Sequence, residues 1–119
     1  MRLESRALCG ELLLLHRTTT AKHPPGKHVI PGQHTIAYGE LCARAGVPHL
    51  TRVVGGFLLE IAEWCQAAGF PPLNSLAVNS ESGMPGDSYD GAGGFAIIDW
   101  PADVDACIRF RGYPAMPPP

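Results

Sequence analysis

One stretch constrains the fold of this chain more than any other. Between Leu50 and Ala68, apolar residues fall at Leu50, Val53, Val54, Phe57, Leu58, Ile61, Trp64, Cys65 and Ala68. Steps of three and four put them on one continuous face of a helix, the face that a core takes up. The opposite face carries Arg52, Gly56, Leu59 and Glu63. Pro48 suits the first helical position, where its missing N–H costs nothing, and Gly69 suits the position just past the end. The spacing predicts one helix from Pro48 to Ala68. With 119 residues the chain makes a single domain, 1–119, large enough for a core without disulfides or a structural metal.

Upstream, ESRALCGELLLLHR at 4–17 has Leu8, Leu12 and Leu15 at helical spacing, so a first helix is expected within 1–17. TTTAKHPPGKHVIPGQH, 18–34, holds three prolines, two glycines and three threonines. It reads as a loop over 18–35 with a brief extended piece at His28-Val29-Ile30. A short helix is expected over Tyr38–Ala45, closed by Gly46. Downstream, Pro71-Pro72 breaks the chain and Leu76-Ala77-Val78 reads as a strand. SESGMPG (80–86) reads as a turn, with a return strand near Ser88–Asp90. DGAGG (90–94) is expected to be flexible and Phe95–Ile98 to form a strand. A helix beginning at Asp99-Trp100-Pro101 should bury Val104, Cys107 and Ile108, and the Met-Pro-Pro-Pro end should fray. This order predicts an α+β, winged helix-turn-helix-like fold. It has a helical N-terminal half, a small β-hairpin wing within a core over 36–90, and a C-terminal strand-helix extension over 91–119.

The net charge of −2 hides a division. Residues 16–52 carry Arg17, Lys22, Lys27, Arg44 and Arg52 against Glu40 alone, a charge of +4, together with all five histidines. Residues 53–119 carry Arg109 and Arg111 against eight acids, a charge of −6. Such asymmetry suits one face for an anionic partner and another kept away from it. The four cysteines, Cys9, Cys42, Cys65 and Cys107, form no C-x-x-C pair and read as reduced core thiols. His23, His28 and His34 match no tight ligand spacing, so no metal is expected. No apolar run reaches the roughly 20 residues of a membrane span. Leu12–Leu15 is too short and follows Glu4 and Glu11, where a signal peptide would be basic, so the expected location is cytoplasmic with no membrane partner.

At YGELCARAGVPHLTRVVGGFL, 38–58, the order of residues becomes specific. It resembles the DNA-binding domain of the O6-alkylguanine-DNA alkyltransferases and their non-enzymatic relatives, the alkyltransferase-like proteins. In that family a Tyr-Gly-Glu-Leu helix leads to a Gly-x-Pro turn and an Arg-Ala-Val-Gly recognition helix. Here these are Tyr38-Gly39-Glu40-Leu41, Gly46-Val47-Pro48 and Arg52-Val53-Val54-Gly55. The family's Pro-Cys-His-Arg strand and glycine-containing wing correspond to residues 72–86, so the resemblance spans roughly 36–90, closely in its helical half and loosely beyond.

The resemblance implies a helix-turn-helix in the minor groove of double-stranded DNA, intact or damaged, and a role in DNA repair. It implies that Tyr38 crowds a phosphate while a nucleotide is flipped, and that Arg52 fills the vacated stack. An inserted cation can partly offset the few kcal/mol of base extrusion. Gly55 and Gly56 would let the helix backbone approach the sugar-phosphate, and Arg44, Lys22 and Lys27 would add phosphate contacts. The alkyl-accepting cysteine aligns with Asn74, so Asn74 and Ser75 would mark the pocket without a thiolate or its activating histidine. Alkyl transfer is therefore not expected, nor is any cofactor or enzymatic activity. About ten extra residues between the glycine pair and Pro71-Pro72 lengthen the recognition helix relative to the family.

Other chemistry finds little footing. DGAGG lacks the lysine and the strand–loop–helix setting of a phosphate-binding loop. Asp99, Asp103 and Asp105 read as a helix start and a solvated acidic face. The alternative to DNA binding is a small phage- or plasmid-borne protein-interaction module. It would inhibit a nucleic-acid-handling machine by presenting the acidic C-terminal half to a basic protein partner.

Overall fold

The computed structural model describes residues 1–23 and 29–119, apart from the side chain of Lys22. The first helix, α1 (Leu3–Lys22), runs on past the expected end at Arg17. Thr18 and Thr20 continue it by turning their hydroxyls back onto the helix, donating to the carbonyls of Leu14 (2.9 Å) and His16 (2.8 Å). That back-bonding removes the usual reason for Thr to leave a helix. Leu8, Cys9, Leu12 and Leu13 are buried in the centre of the molecule. The extended piece predicted at 28–30 is seen only at Val29 and Ile30, His28 lying outside the described residues.

A two-residue strand, β1 (Ile36–Ala37), leads directly into α2 (Tyr38–Arg44). The chain turns at Gly46, where the N–H groups of Gly46 and Val47 satisfy the carbonyls of Ala43 and Cys42. The long predicted helix then divides. Pro48–Val53 is 3-10 helix, and α3 (Val54–Ala68) begins only at Val54. A 3-10 helix turns each residue by about 120° instead of 100°, so the apolar stripe falls out of register. Val53 is accordingly 59% exposed, whereas Val54, Leu58, Ile61 and Cys65 are buried as the spacing predicted; Phe57 and Trp64 are half-buried, and Ala68 at the end of the stripe is exposed.

After α3, a 3-10 turn (Leu73–Leu76) is wholly buried and feeds β2 (Ala77–Val78). The expected hairpin does not form among the described residues. β2 pairs in parallel with β1, Ile36 opposite Ala77 and Ala37 opposite Val78. Residues 79–84 do turn, with the Asn79 N–H donating to the Met84 carbonyl, but Asp87–Tyr89 coils into 3-10 turn where a return strand was expected. Phe95–Ile98 is likewise not a strand, and Ile97–Asp99 is 3-10.

DGAGG is no free linker: Gly91 donates to the Phe95 carbonyl (2.7 Å) and Asp90 accepts the Ile97 N–H (2.9 Å). Gly93 sits so close on α3 that a Cβ there would lie 2.6 Å from the Ala62 carbonyl oxygen, and its φ of +60° is one that side chains disfavour. The last helix, α4 (Trp100–Arg109), buries Trp100, Val104, Cys107 and Ile108. Trp100 donates its indole N–H to the Ser75 carbonyl (2.8 Å), tying α4 to the buried turn. Nor is the C-terminal end left to fray, since Arg17 and Arg6 on α1 donate to the carbonyls of Ala115 and Pro118.

Among the described residues the chain is thus α+β in the coarse sense, four α-helices and a minimal two-stranded sheet, with α1 packed against α2, α3 and α4. Among the described residues no helix is long and apolar enough to cross a membrane. All four cysteines are buried and free, in line with their reading as reduced core thiols.

Candidate functional site

Three of the residues singled out in the sequence, Tyr38, Gly55 and Asn74, line one small cleft. Tyr38, at the start of α2, stands opposite Gly55 and Leu58 on α3 and Asn74 on the buried turn. Tyr89 and Ala92 close the other side. The space is about 10 Å³ for water-sized bodies, enough for about one water molecule. Asn74 is 3% exposed, and its side-chain oxygen Oδ1 has no hydrogen-bond partner. An unsatisfied buried acceptor costs on the order of 1–3 kcal/mol, a cost a donor entering the cleft would relieve. Ser75, expected beside it, is fully buried but does not line the cleft, and its backbone carbonyl takes the Trp100 indole. The pair is therefore split between site and core because a tight turn points neighbouring side chains in different directions.

Tyr38 is half-buried, and its hydroxyl oxygen accepts the N–H of Gly86 (2.7 Å), holding the 79–86 loop against α2. Burial pushes its phenol above the ordinary range, so it stays neutral with its own O–H free to donate. Arg52 lies three residues before Gly55, exposed on the 3-10 segment. Among the described residues it is the only arginine whose guanidinium makes no hydrogen bond or ion pair. The others are each anchored: Arg2 by Glu60, Arg44 by Glu40, Arg109 by Asp105, and Arg6, Arg17 and Arg111 by backbone carbonyls.

The remaining predicted contacts need correction. Arg52 does not lie in the first turns of an α-helix, since α3 starts two residues later. Gly55 is closed off from any external backbone by the chain itself: a Cβ there would lie 2.4 Å from Ser88 Oγ. Its glycine is needed for that internal approach. Gly56 does face open space, and its carbonyl accepts from Arg2 (3.0 Å). Arg44 is exposed but shares its charge with Glu40 at 2.5 Å, one turn earlier. Lys27 and the Lys22 side chain lie outside the described residues.

Sequence reasoning missed Tyr89. It is 4% exposed, walls the cleft, and donates its O–H to Asp103 Oδ2 (2.6 Å). An aromatic residue between Ser88 and Asp90, in an otherwise small and polar turn, was the signal available. Asp103 is consequently not part of a solvated face; it is half-buried, with its carboxyl raised chiefly by that burial. Asp105 is tied to Arg109 at 3.0 Å.

No thiolate is at hand for nucleophilic chemistry. Burial pushes the thiols of Cys9 and Cys107 up to about 12 and that of Cys65 to about 11, and raises Cys42 as well. An amide such as Asn74 is itself no nucleophile, so the cleft offers polar contact and shape.

Of the three histidines in the 16–34 region considered for a metal, His28 lies outside the described residues. His23 and His34 pack edge to face at 5.1 Å. Among the described residues no three His, Cys, Asp or Glu side chains converge as a metal site would require. In comparisons with known proteins, no family model, no curated protein and no solved structure matches this chain.

Proposed function

We propose that this is a non-enzymatic DNA-binding protein of alkyltransferase-like type. In this reading α2, the Gly46 turn and the Pro48–Ala68 stretch act as a helix-turn-helix on the minor groove of double-stranded DNA. The observation that carries it is Arg52: an exposed guanidinium with no partner among the described residues, three residues before the Gly55 that lines the cleft with Tyr38 and Asn74. A protein that anchors every other described arginine has left this one for an external anion or base edge. Tyr38 can donate its O–H to a phosphate while still accepting from Gly86. The orphaned Asn74 oxygen suits an amine or amide N–H. The residues 79–86 take the wing's place in the chain as a turn held by Tyr38, not as a hairpin.

The cleft also limits the reading. It admits about one water molecule, so a flipped base cannot enter unless the 87–92 segment moves outward. Damage recognition would then appear as tighter binding to duplexes in which a base is already weakly paired. Fluorescence anisotropy with a plain duplex and an O6-methylguanine duplex tests this at two salt concentrations. The expected result is binding to both at low salt, tighter to the damaged duplex, and steeply weakened as salt rises. No binding at low salt would overturn the proposal.

A further inference from the structure

A larger cavity lies away from the cleft, between the second half of α1 and the chain that follows α4. Its volume is about 230 Å³, more than the roughly 150 Å³ of a cavity that admits benzene. Leu13, Tyr113 and Pro114 give it apolar walls, and His16, Arg17 and Arg111 give it cationic or polar ones. Among the described residues no carboxylate lines it.

We propose that this cavity is a binding site for a small organic oxyanion, one carboxylate or phosphate head on a compact apolar body. Arg17 donates Nη1 to the Ala115 carbonyl (3.0 Å), and Arg111 donates Nη1 to those of Ile108 (2.8 Å) and Phe110 (3.4 Å). Each guanidinium has five N–H donors, so both heads are pinned in place with the rest of their forks unspent. His16 is 5% exposed and fixed by its Nε2–H donating to the Cys107 carbonyl (2.8 Å), with Tyr113 edge-on to its ring at 4.8 Å. Burial holds its pKa down, and the charges of Arg111 and Arg17, which line the same cavity, lower it further. The site's positive charge therefore comes from the two arginines, and His16 and Tyr113 form a rigid aromatic wall. A carboxylate or phosphate between two open guanidinium forks gains charge-assisted hydrogen bonds, while its apolar body meets Leu13 and Tyr113.

The test is an NMR titration of the full chain with benzoate, phenyl phosphate and neutral benzyl alcohol, following Arg17 and Arg111 side-chain N–H and Tyr113 ring signals. The expected result is saturable shifts at these residues with at least one anion and none with benzyl alcohol. The tighter of the two anions identifies the head group. Arg111→Gln should weaken that anion about tenfold or more, while Arg44→Gln leaves it within about twofold. Arg17→Gln carries the same test should Arg111→Gln fail to fold. The proposal is overturned if neither anion gives saturable shifts up to roughly 50 mM, far beyond the affinity of a built site. An equal response to benzyl alcohol, or unchanged affinity in the arginine variants, would overturn it as well.

Discussion

Arg52 and Gly55 sit three residues apart and carry opposite lessons. Arg52 is exposed and makes no hydrogen bond or ion pair among the described residues, so Arg52→Ala should change unfolding free energy by no more than about 0.5 kcal/mol, read from denaturant titration. A loss well above that would mean the side chain has a structural role. Gly55, by contrast, is committed to the interior. Gly55→Ala must push Ser88 away and should cost roughly 1–3 kcal/mol in the same measurement. The sequence made both visible through one motif, but the motif alone could not separate an outward-facing residue from an inward-facing one.

His34 gives a further prediction. It is buried with neither ring nitrogen hydrogen-bonded among the described residues, and burial first, then His23, lowers its pKa. The unfolded chain therefore takes up the proton first as pH falls. The neutral-histidine stability is complete above the unfolded value of about 6.5, and is lost progressively as pH drops from there to the folded value. Urea midpoints at pH 7 and 5.5 should show a smaller loss for His34→Leu than for the wild-type chain. Equal losses would refute the assignment.

At the scale of elements, what could be read from the sequence followed burial, and what could not followed local hydrogen bonding. α4 and the buried side of α3 were predicted from apolar spacing, and Gly46 and Gly69 from their positions past helix ends. The overrun of α1 through three threonines depends on hydroxyls folded back onto Leu14 and His16, which composition disfavours. The 3-10 segment ahead of α3 was hidden because Leu50 and Val53 keep helical spacing, although Val53 is exposed and Leu50 only half-buried. The failed hairpin has a similar origin. Ala77 and Val78 are buried on both sides and find their partner in β1, across α2 and α3, where no local turn signal could point. DGAGG reads as loose because glycines usually do, yet Gly93 is a contact with α3. Gly93→Ala should cost roughly 2 kcal/mol or more through the left-handed backbone and the close approach to Ala62. A thermal melt matching the wild type would show that contact to be dispensable.

Over the whole molecule, the two halves of the chain spend their charges differently. The acids of the C-terminal half are partly spent internally, Asp103 on Tyr89 and Asp105 on Arg109. That leaves less of an acidic surface for a basic protein partner than the count of acids suggested. The basic half leaves Arg52 without a partner among the described residues, three residues before the Gly55 that lines the Tyr38–Asn74 cleft. The cleft itself could be outlined from residues 38, 55 and 74, whereas its far wall, Tyr89 and Ala92, is brought in only by the folding of the 87–94 turns. The most direct measurement of the central claim is duplex binding by fluorescence anisotropy at about 50 mM salt, comparing wild type, Arg52→Ala and Arg44→Ala. The account predicts a loss of about tenfold or more for Arg52→Ala and a much smaller one for Arg44→Ala, whose charge is shared with Glu40. Unchanged binding by Arg52→Ala would contradict it.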